Sequence, residues 1–456
     1  MRTLAVFSNK KNAKMAAEEL IEKAEASLDF KPDLVLFYAT LKYNGRYQEM
    51  LDIFRRRFGD IPQIGASVDG MIFPHDMRTD GASLVLCEDK DARIEVKSAN
   101  EDGATRSAEK LAGQIKCEKG VVILNFPLVH VPDVMRSTEF YAMGKYYSFR
   151  ANKGDENTKI EMARRFSDYC DKAKIFYLPP TVLEIFAKQL DYKVPVVGMN
   201  VLHTQVKFNS PSIFSNFKDI GGGIAALVIE KDDIEVVYDD IFPDKGETVE
   251  ETMEIVEDKF KVVEKFDALF EKNILISLNS KSPVKAVKDV TRTYEKDEME
   301  LKEEFNKGSF QVQVPYFILF FNKKLKTIQT LGISSYFPFD LFPFFFDTND
   351  LSNKVYLTHE PIFLKLNDYI SSLYSLENTK NSVLFCIDVG SISAFGNKVL
   401  FFKDEIEKIA SDNYFGIISE SPSIFIPKKY QNRNYITESK EDIFFASNGT
   451  NVFLTI

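Results

Sequence analysis

The N-terminal stretch alternates two periodicities of apolar residues. Residues 4–8 form a short apolar run, and residues 12–28 follow with alanines and leucines at helical spacing between glutamates and lysines. Residues 33–38 read DLVLFY, a buried strand. Residues 48–58 set Met50, Leu51, Phe54 and Phe58 on one side of an amphipathic helix, and residues 61–67 supply the next strand. This βαβαβ order predicts parallel strands joined by right-handed crossovers beneath covering helices. The pattern then changes. Residues 82–87 and 92–96 flank the charged turn Glu88-Asp89-Lys90-Asp91, which predicts an antiparallel hairpin and hence a mixed sheet.

This pattern recurs. PQIGASVDG from Pro62 and its hairpin GASLVLCEDKDARIEV from Gly81 are echoed by PVVGMN from Pro195 and GIAALVIEKDDIEVV from Gly223. A weaker third copy runs through residues 414–419 and 442–446, an Asn448-Gly449 turn and residues 452–456. A strand and then a helix precede the later copies, at 121–126 and 181–190 and again at 383–387 and 403–411. Three echoes in one order point to divergent duplication.

Between the second and third copies the composition shifts. Residues 244–271 are acidic and rich in Lys and Glu, as expected of a solvated helix face or long hairpin. Residues 273–290 predict a strand, a turn and a helix started by Ser282-Pro283, and residues 311–331 predict a hairpin turning at Asn322-Lys323-Lys324. The turn residues FPDKG at 242–246 suggest a boundary. A length of 456 residues sets a prior of about three domains or two large ones. Because the third copy shares its half of the chain with the shifted stretch, two domains are expected, 1–243 and 244–456. The fold class expected is mixed α/β, each domain a mixed sheet covered by helices.

Charge and cysteines narrow the class. A net charge of −10 argues against a general nucleic-acid binder, which needs a basic face. No window holds the 18 or more apolar residues of a membrane span, and the start of the chain lacks a signal-peptide core. Cys87, Cys117, Cys170 and Cys386 are scattered without a C-x-x-C pair, so neither a disulfide framework nor a zinc site is expected. A reduced, cytoplasmic protein follows.

The ordered motifs DLVLFYAT, IPQIGASVDGMI, DGASLVL, VPVVGMN, GGGIAALVI and LNSKSPVKAV resemble the FIST family, named for F-box and intracellular signal transduction proteins. The resemblance spans nearly the whole chain, with a FIST N-terminal domain in the first half and a FIST C-terminal domain in the second. The second departs most: Cys386-Ile387-Asp388-Val389-Gly390 lacks the arginine of the family's Cys-x-x-Arg-Gly-like stretch, and Ser419-Glu420-Ser421-Pro422-Ser423 replaces a glycine-rich turn. The resemblance implies a sensory or binding module rather than an enzyme. It detects a small ligand, with amino acids proposed, and signals through a partner. Some bacterial members look like haem-based gas sensors, and eukaryotic relatives recruit substrates for ubiquitin ligases.

Candidate chemistry sits on the repeated loops. Gly65-Ala66-Ser67-Val68-Asp69-Gly70 approaches the nucleophile elbow G-x-S-x-G, but the fifth position is Asp and no helix follows. Its better reading is a strand end exposing Ser67, Asp69 and Gly70 at the sheet edge, where ligands collect in open α/β sheets. The loop beyond carries His75, Asp76 and Arg78, suited to a zwitterion with Arg on its carboxylate and Asp on its ammonium. The second copy offers Asn200, His203 and Asn216. If two repeats are related by approximate two-fold symmetry, His75 and His203 face one pocket. His130 or His203 could serve a haem as axial ligand, while the four histidines are too scattered for a metal signature. Residues 336–346, YFPFDLFPFFF, are a core connector or a partner surface presenting Phe344 and Phe345. The glycines at 221–223 precede a strand, so no phosphate loop is expected. Neither the ligand nor the oligomeric state can be read from the sequence.

Overall fold

The computed structural model describes residues 1–129, 134–201, 211–232, 234–239, 248–259, 262–272, 274–291, 316–323, 327–332, 342–343, 351–359, 382–388, 407–408, 413–419, 422–430, 443–446 and 451–455. Three units follow one another. The first holds β1 (Arg2–Ser8), α1 (Ala13–Ser27), β2 (Leu34–Ala39), α2 (Tyr47–Phe58), β3 (Gln63–Ser67), β4 (Gly70–Phe73), β5 (Asp76–Arg78) and β6 (Ala82–Glu88). The second holds β7 (Arg93–Ala99), α3 (Ala104–Ala112), β8 (Val121–Pro127), α4 (Val134–Asn152), α5 (Glu156–Lys172), α6 (Pro179–Gln189), β9 (Val196–Val201), β10 (Ile213–Ser215), β11 (Lys218–Asp219) and β12 (Ile224–Glu230).

The third unit begins with β13 (Glu235–Asp239). A long excursion follows through α7 (Val249–Lys259), β14 (Val262–Glu271), β15 (Ile274–Leu278), α8 (Pro283–Thr291), β16 (Tyr316–Asn322), β17 (Thr327–Gly332), β18 (Phe342–Pro343) and β19 (Leu351–His359). The unit then resumes with β20 (Val383–Asp388), β21 (Tyr414–Ser419), β22 (Ser423–Ile426), β23 (Ile443–Ala446) and β24 (Asn451–Thr455).

Three sheets share one strand plan: β1-β6-β2-β3-β10-β11, β7-β12-β8-β9-β22-β23 and β13-β24-β20-β21-β4-β5. At the centre of each lies a parallel pair, β2/β3, β8/β9 or β20/β21. Each sheet is then extended by an antiparallel ribbon from another unit. Unit two's β10–β11 joins β3, unit three's β22–β23 joins β9, and unit one's β4–β5 joins β21. The donations run one way round and close a ring, so the units are related by pseudo-three-fold symmetry.

The mixed α/β class expected from sequence is the one observed, with two differences in pairing. First, β1 is not part of a parallel βαβ run; it pairs antiparallel with β6 at a sheet edge. Second, the three repeated strand-turn-strand segments are not hairpins. β6 and β7, β12 and β13, and β23 and β24 lie in different sheets. Each return strand passes to the next sheet, because alternation of apolar residues sets which face is buried and leaves the partner open. The hairpin read at 311–331 does form, as β16 against β17.

A fourth sheet, β17-β16-β19-β14-β15-β18, is built entirely from the third unit's excursion. Strand pairing therefore does not divide at 243/244. Residues 383–455 return to the three-sheet ring, and the second body is an insertion. The FPDKG stretch lies outside the described residues.

The inner faces of the three sheets meet in one core that includes Leu36, Ile64, Ile123, Val197, Leu384 and Phe415. One step along the strands, Tyr38, Asn125 and Cys386 occupy matching positions, opposite Ala66, Met199 and Ile417. Asn125 Nδ2 donates to the Tyr38 hydroxyl (3.3 Å), which points its own proton at Met199 Sδ (3.8 Å). On the outer faces, α1 and α2 cover the first sheet and α3 and α6 the second. Helix α1 manages close approach with small residues, Ala13, Ala16, Ala17 and Ala24, and Asn12 caps it by accepting from the Met15 amide.

Helices α4 and α5 pack against the inserted sheet. Phe166 and Cys170 of α5 share an apolar cluster with Ile274 and Ile276 of β15. Around it Arg164 pairs with Glu271, the Ser167 hydroxyl donates to the Glu271 carbonyl (3.2 Å), and Lys272 Nζ donates to Asp168 (2.7 Å). The Lys272 hydrogen bond holds the Asp168 carboxyl below its ordinary range.

Two predictions follow from this packing. Gly65 faces Phe37 across the parallel pair, and a Cβ there would lie 1.7 Å from the Phe37 carbonyl oxygen. Gly198 and Gly416 stand at the matching positions opposite Leu124 and Phe385, and a Cβ there would lie 2.2 Å from the Ser423 hydroxyl and 2.0 Å from the Phe385 ring, both side chains rather than backbone. Gly65→Ala is expected to cost about 3 kcal/mol or more, read as a lowered urea midpoint, whereas Gly59→Ala, with positive φ but open space, costs about 1 kcal/mol. A Gly65→Ala protein as stable as wild type would contradict the strand packing. For Asp168 the depressed folded pKa means that its stabilisation is present above the unfolded carboxylate value, near 3.9, and disappears as pH falls through the folded value. The unfolding free energy of Asp168→Asn from urea titration should lie below wild type at pH 7 by no more than about 0.5 kcal/mol, since the pair is solvent-screened. The gap should close below about pH 4.

Candidate functional site

The residues expected to bind ligand are mostly occupied in holding the exchanged ribbons. Ser67 is buried at the end of β3, where its hydroxyl accepts from the Ser212 amide and its amide donates to the Ser212 carbonyl, both 2.8 Å. These bonds fasten the segment leading into β10. Asn200 at the end of β9 accepts from the Ser423 hydroxyl of β22 (3.4 Å). Asn216 sits in the β10–β11 turn with φ of 49° and donates to the Val96 carbonyl (3.1 Å). His75 sits in the β4–β5 turn with φ of 70°; its amide donates to Glu407 (2.6 Å), which also accepts from the Tyr414 hydroxyl (3.1 Å).

Asp69 is buried between β3 and β4, and Gly70 packs so closely that a Cβ would lie 2.7 Å from Ile418. Asp76 and Arg78 pair with each other on the exposed ribbon (2.7 Å). Thus His75, Asp76 and Arg78 lie in the third sheet, while Asn216 lies in the first. The strand plan relates the repeats three-fold rather than two-fold. His203, His130, Phe344 and Phe345 lie outside the described residues. Among the described residues, no cluster of His, Cys, Asp and Glu is placed to hold a metal, and no helix is long and apolar enough to cross a membrane.

A cavity within the ring core, lined by Leu36, Ile64, Ile123, Met199, Leu384 and Phe415, has a volume of about 10 Å³. That is room for no more than one water. A larger one, about 110 Å³, opens in unit two between the starts of α3 and α6 and the end of α5. Its walls are Ala104 and Thr105 of α3, Cys170 and Asp171 of α5, Lys174, Phe176, Tyr177 and Leu178 of the connection, and Thr181, Val182 and Ile185 of α6.

Local sequence explains why two helix starts lie open here. Gly103 precedes α3 with φ of 113°, and Leu178 precedes α6; neither side chain caps its helix. Helix α6 opens on Pro179-Pro180, favoured at a first turn because they have no amide proton to satisfy. Both helices therefore turn their positive dipole ends toward the cavity. At the other wall α5 ends in a Schellman motif, with Lys174 N–H bonded to the Asp171 carbonyl (3.1 Å) and Ile175 N–H to the Cys170 carbonyl (3.3 Å). Glycine usually takes the left-handed position of that motif. Here Lys174 takes it, with φ of 51°. Its ammonium lies 3.7 Å from Asp171 Oδ1.

Unit one shows what closes the same place. There β2 reaches α2 through a 3-10 turn at Leu41–Tyr43, and Tyr43, only 2% exposed, donates its hydroxyl to the Lys10 carbonyl just ahead of α1 (2.6 Å). In unit two the corresponding connection is α4 and α5. Its ends are tied together by the bridge between Val129 and Phe176 and by the Tyr177 amide on the Leu128 carbonyl (3.0 Å). Where unit one has its Tyr43 turn, unit two has the α4–α5 connection, and the cavity lies beside its end. Burial pushes the Cys170 thiol well up, so it is held protonated. Sequence reading did not single out these residues. The signals were present in Gly103 ahead of a helix and in the double proline of α6.

Residues 33–257 match the FIST N domain, found in sensory and signal-transduction proteins. Residues 250–363, where a FIST C-terminal domain was expected, match the AF0772-like protein C-terminal domain, which coincides with the excursion that builds the fourth sheet. An uncharacterized protein of Archaeoglobus fulgidus is 25% identical over 401 residues, covering 85% of this chain and 99% of the relative. The FIST N match falls on the first two units and the start of the third, and the AF0772-like match falls on the inserted sheet, so the chain carries a FIST N domain followed by an AF0772-like C-terminal domain.

Proposed function

We propose that this protein is a cytoplasmic sensor of a small amino acid, bound in the cavity between α3, α5 and α6, and that it signals through a partner protein. One observation carries this reading: Lys174 and Asp171, a cation and an anion, line one small cavity beside two helix starts that no side chain caps. The amides at the start of α3 and the Lys174 ammonium suit a carboxylate, and Asp171 suits an ammonium. Ile185, Val182 and Phe176 leave an apolar wall for a short side chain. Size restricts the choice. A cavity of about 150 Å³ accommodates benzene, with six non-hydrogen atoms, so about 110 Å³ suits a ligand no larger than that, such as glycine or alanine.

Sensing rather than catalysis fits the chemistry present. Cys170 is the thiol at the cavity, and as a protonated, buried group it is a poor nucleophile. All four cysteines are free and buried, in keeping with a reducing compartment.

The backbone of Lys174 supplies a separate argument. An L-residue in the left-handed region costs about 1 kcal/mol that glycine would not, and strain of this kind gathers at functional sites. Lys174→Gly is therefore expected to raise the unfolding midpoint modestly while weakening ligand binding. For the full chain, glycine and L-alanine are screened by thermal shift and then calorimetry. At least one should raise the melting temperature, and Lys174→Gly and Asp171→Asn should each weaken its binding about ten-fold. Binding by none of the twenty amino acids, or binding indifferent to both substitutions, would refute the reading.

A further inference from the structure

The two oxygens of Asp171 face different parts of the molecule. Oδ1 lies 3.7 Å from Lys174, which like Asp171 lines the cavity, and Oδ2 lies 3.2 Å from Lys272, in the turn between β14 and β15 of the inserted sheet. Lys272 itself stands in the left-handed region, φ 56°, at the tip of that hairpin. It reaches one face of α5, where positions 164, 167, 168 and 171 follow helical spacing and all meet the hairpin tip. Cys170, next in sequence to Asp171, likewise lines the cavity and packs with Ile274 and Ile276 of β15. The last turn of α5 is thus a wall shared by the cavity and by the dock of the inserted sheet.

We infer that an amino acid in the cavity loosens the hold of α5 on the β14–β15 hairpin, because its ammonium and Lys272 compete for the Asp171 carboxylate. This rests on the proposal that Asp171 receives the ligand's ammonium. In the ligand-free protein the carboxylate divides its charge between two lysines. A bound zwitterion draws Lys174 to its own carboxylate and places its ammonium at Oδ1. The ammonium, in direct hydrogen-bond contact, binds the shared carboxylate more strongly than Lys174 did at 3.7 Å, so the share left to Lys272 falls and its bond weakens. Linkage makes the effect mutual: whatever the ligand does to the hairpin, the hairpin does to ligand affinity. The AF0772-like insertion is therefore the part of the chain that registers occupancy.

The probes are L-alanine and propionate, its analogue without the ammonium, titrated calorimetrically into the full chain. Lys272→Met should bind alanine about two- to five-fold more tightly than wild type, the range of a solvent-screened ion pair, with propionate unaffected. The gain should shrink at high salt. Arg164→Met, which breaks the neighbouring Glu271 pair without touching Asp171, should leave alanine affinity unchanged. Hydrogen exchange in wild type should show residues 270–276 exchanging faster with alanine bound. If alanine binds but Lys272→Met leaves its affinity unaltered, or Arg164→Met raises it equally, or residues 270–276 exchange as before, the coupling is overturned while the site stands. If alanine does not bind, the site reading fails and the coupling falls with it.

Discussion

Everything in this fold hangs on the exchange of edge ribbons between units. Without it each sheet would end at β3, β9 or β21, a parallel strand with a row of open amides and carbonyls. Each unit closes that edge for another: unit two for unit one, unit three for unit two, unit one for unit three. The sequence reading placed ligand chemistry at these same strand ends. Ser67 and Asn200 instead fasten incoming ribbons, and Glu407 with Tyr414 fastens the turn at His75. In a solenoid each repeat touches its neighbours and further repeats can be added. A closed cycle of three allows no such growth, and its pairings join residues as distant as Gly70 and Ile418. Such long closures are slow to form, and the third unit cannot complete its sheet until the chain has returned from the insertion.

Function enters where the symmetry breaks. On the axis the matching residues have diverged into Tyr38, Asn125 and Cys386, which fill the space rather than open it. Outside the ring the difference is larger. Unit one seals the starts of its two helices with Tyr43, and unit two replaces that short turn with α4 and α5. The same pair of helix starts is a packed junction in one copy and a cavity in the other. Duplication supplied the scaffold, and the α4–α5 connection stands where a structural seam becomes a cavity.

The elements were legible because their apolar periods are strong. Residues 12–28 and 48–58 were read as helices and residues 33–38 as a buried strand, and α1, α2 and β2 lie there. The triplication was legible too, through glycines that recur because Gly65, Gly198 and Gly416 all stand where a Cβ would strike a neighbour. What could not be read was partnership. Residues 82–96 have every local mark of a hairpin, yet β6 and β7 pair elsewhere, because register and turn chemistry do not encode which distant edge awaits a strand. The cavity was hidden for the same reason. Lys174, Thr105 and Thr181 are unremarkable in sequence, and only the docking of α3 against α6 gathers them.

The junction of α5 with the inserted sheet shows how one contact can be both durable and adjustable. Its centre is apolar, Phe166 and Cys170 against Ile274 and Ile276, and burial of such side chains is worth about 1.5–3 kcal/mol each whatever the salt or charge state. Its rim is ionic, with Arg164, Asp168 and Asp171 facing Glu271 and Lys272, and each solvent-screened pair is worth about 1 kcal/mol or less. A perturbation of the rim alone cannot separate the two bodies. It can change how often the hairpin tip lifts from the helix, since local opening has its own, smaller free energy. The sensor proposed above would need that division of labour: an apolar centre that keeps the insertion in place, and a charged rim weak enough for a single ammonium to tip.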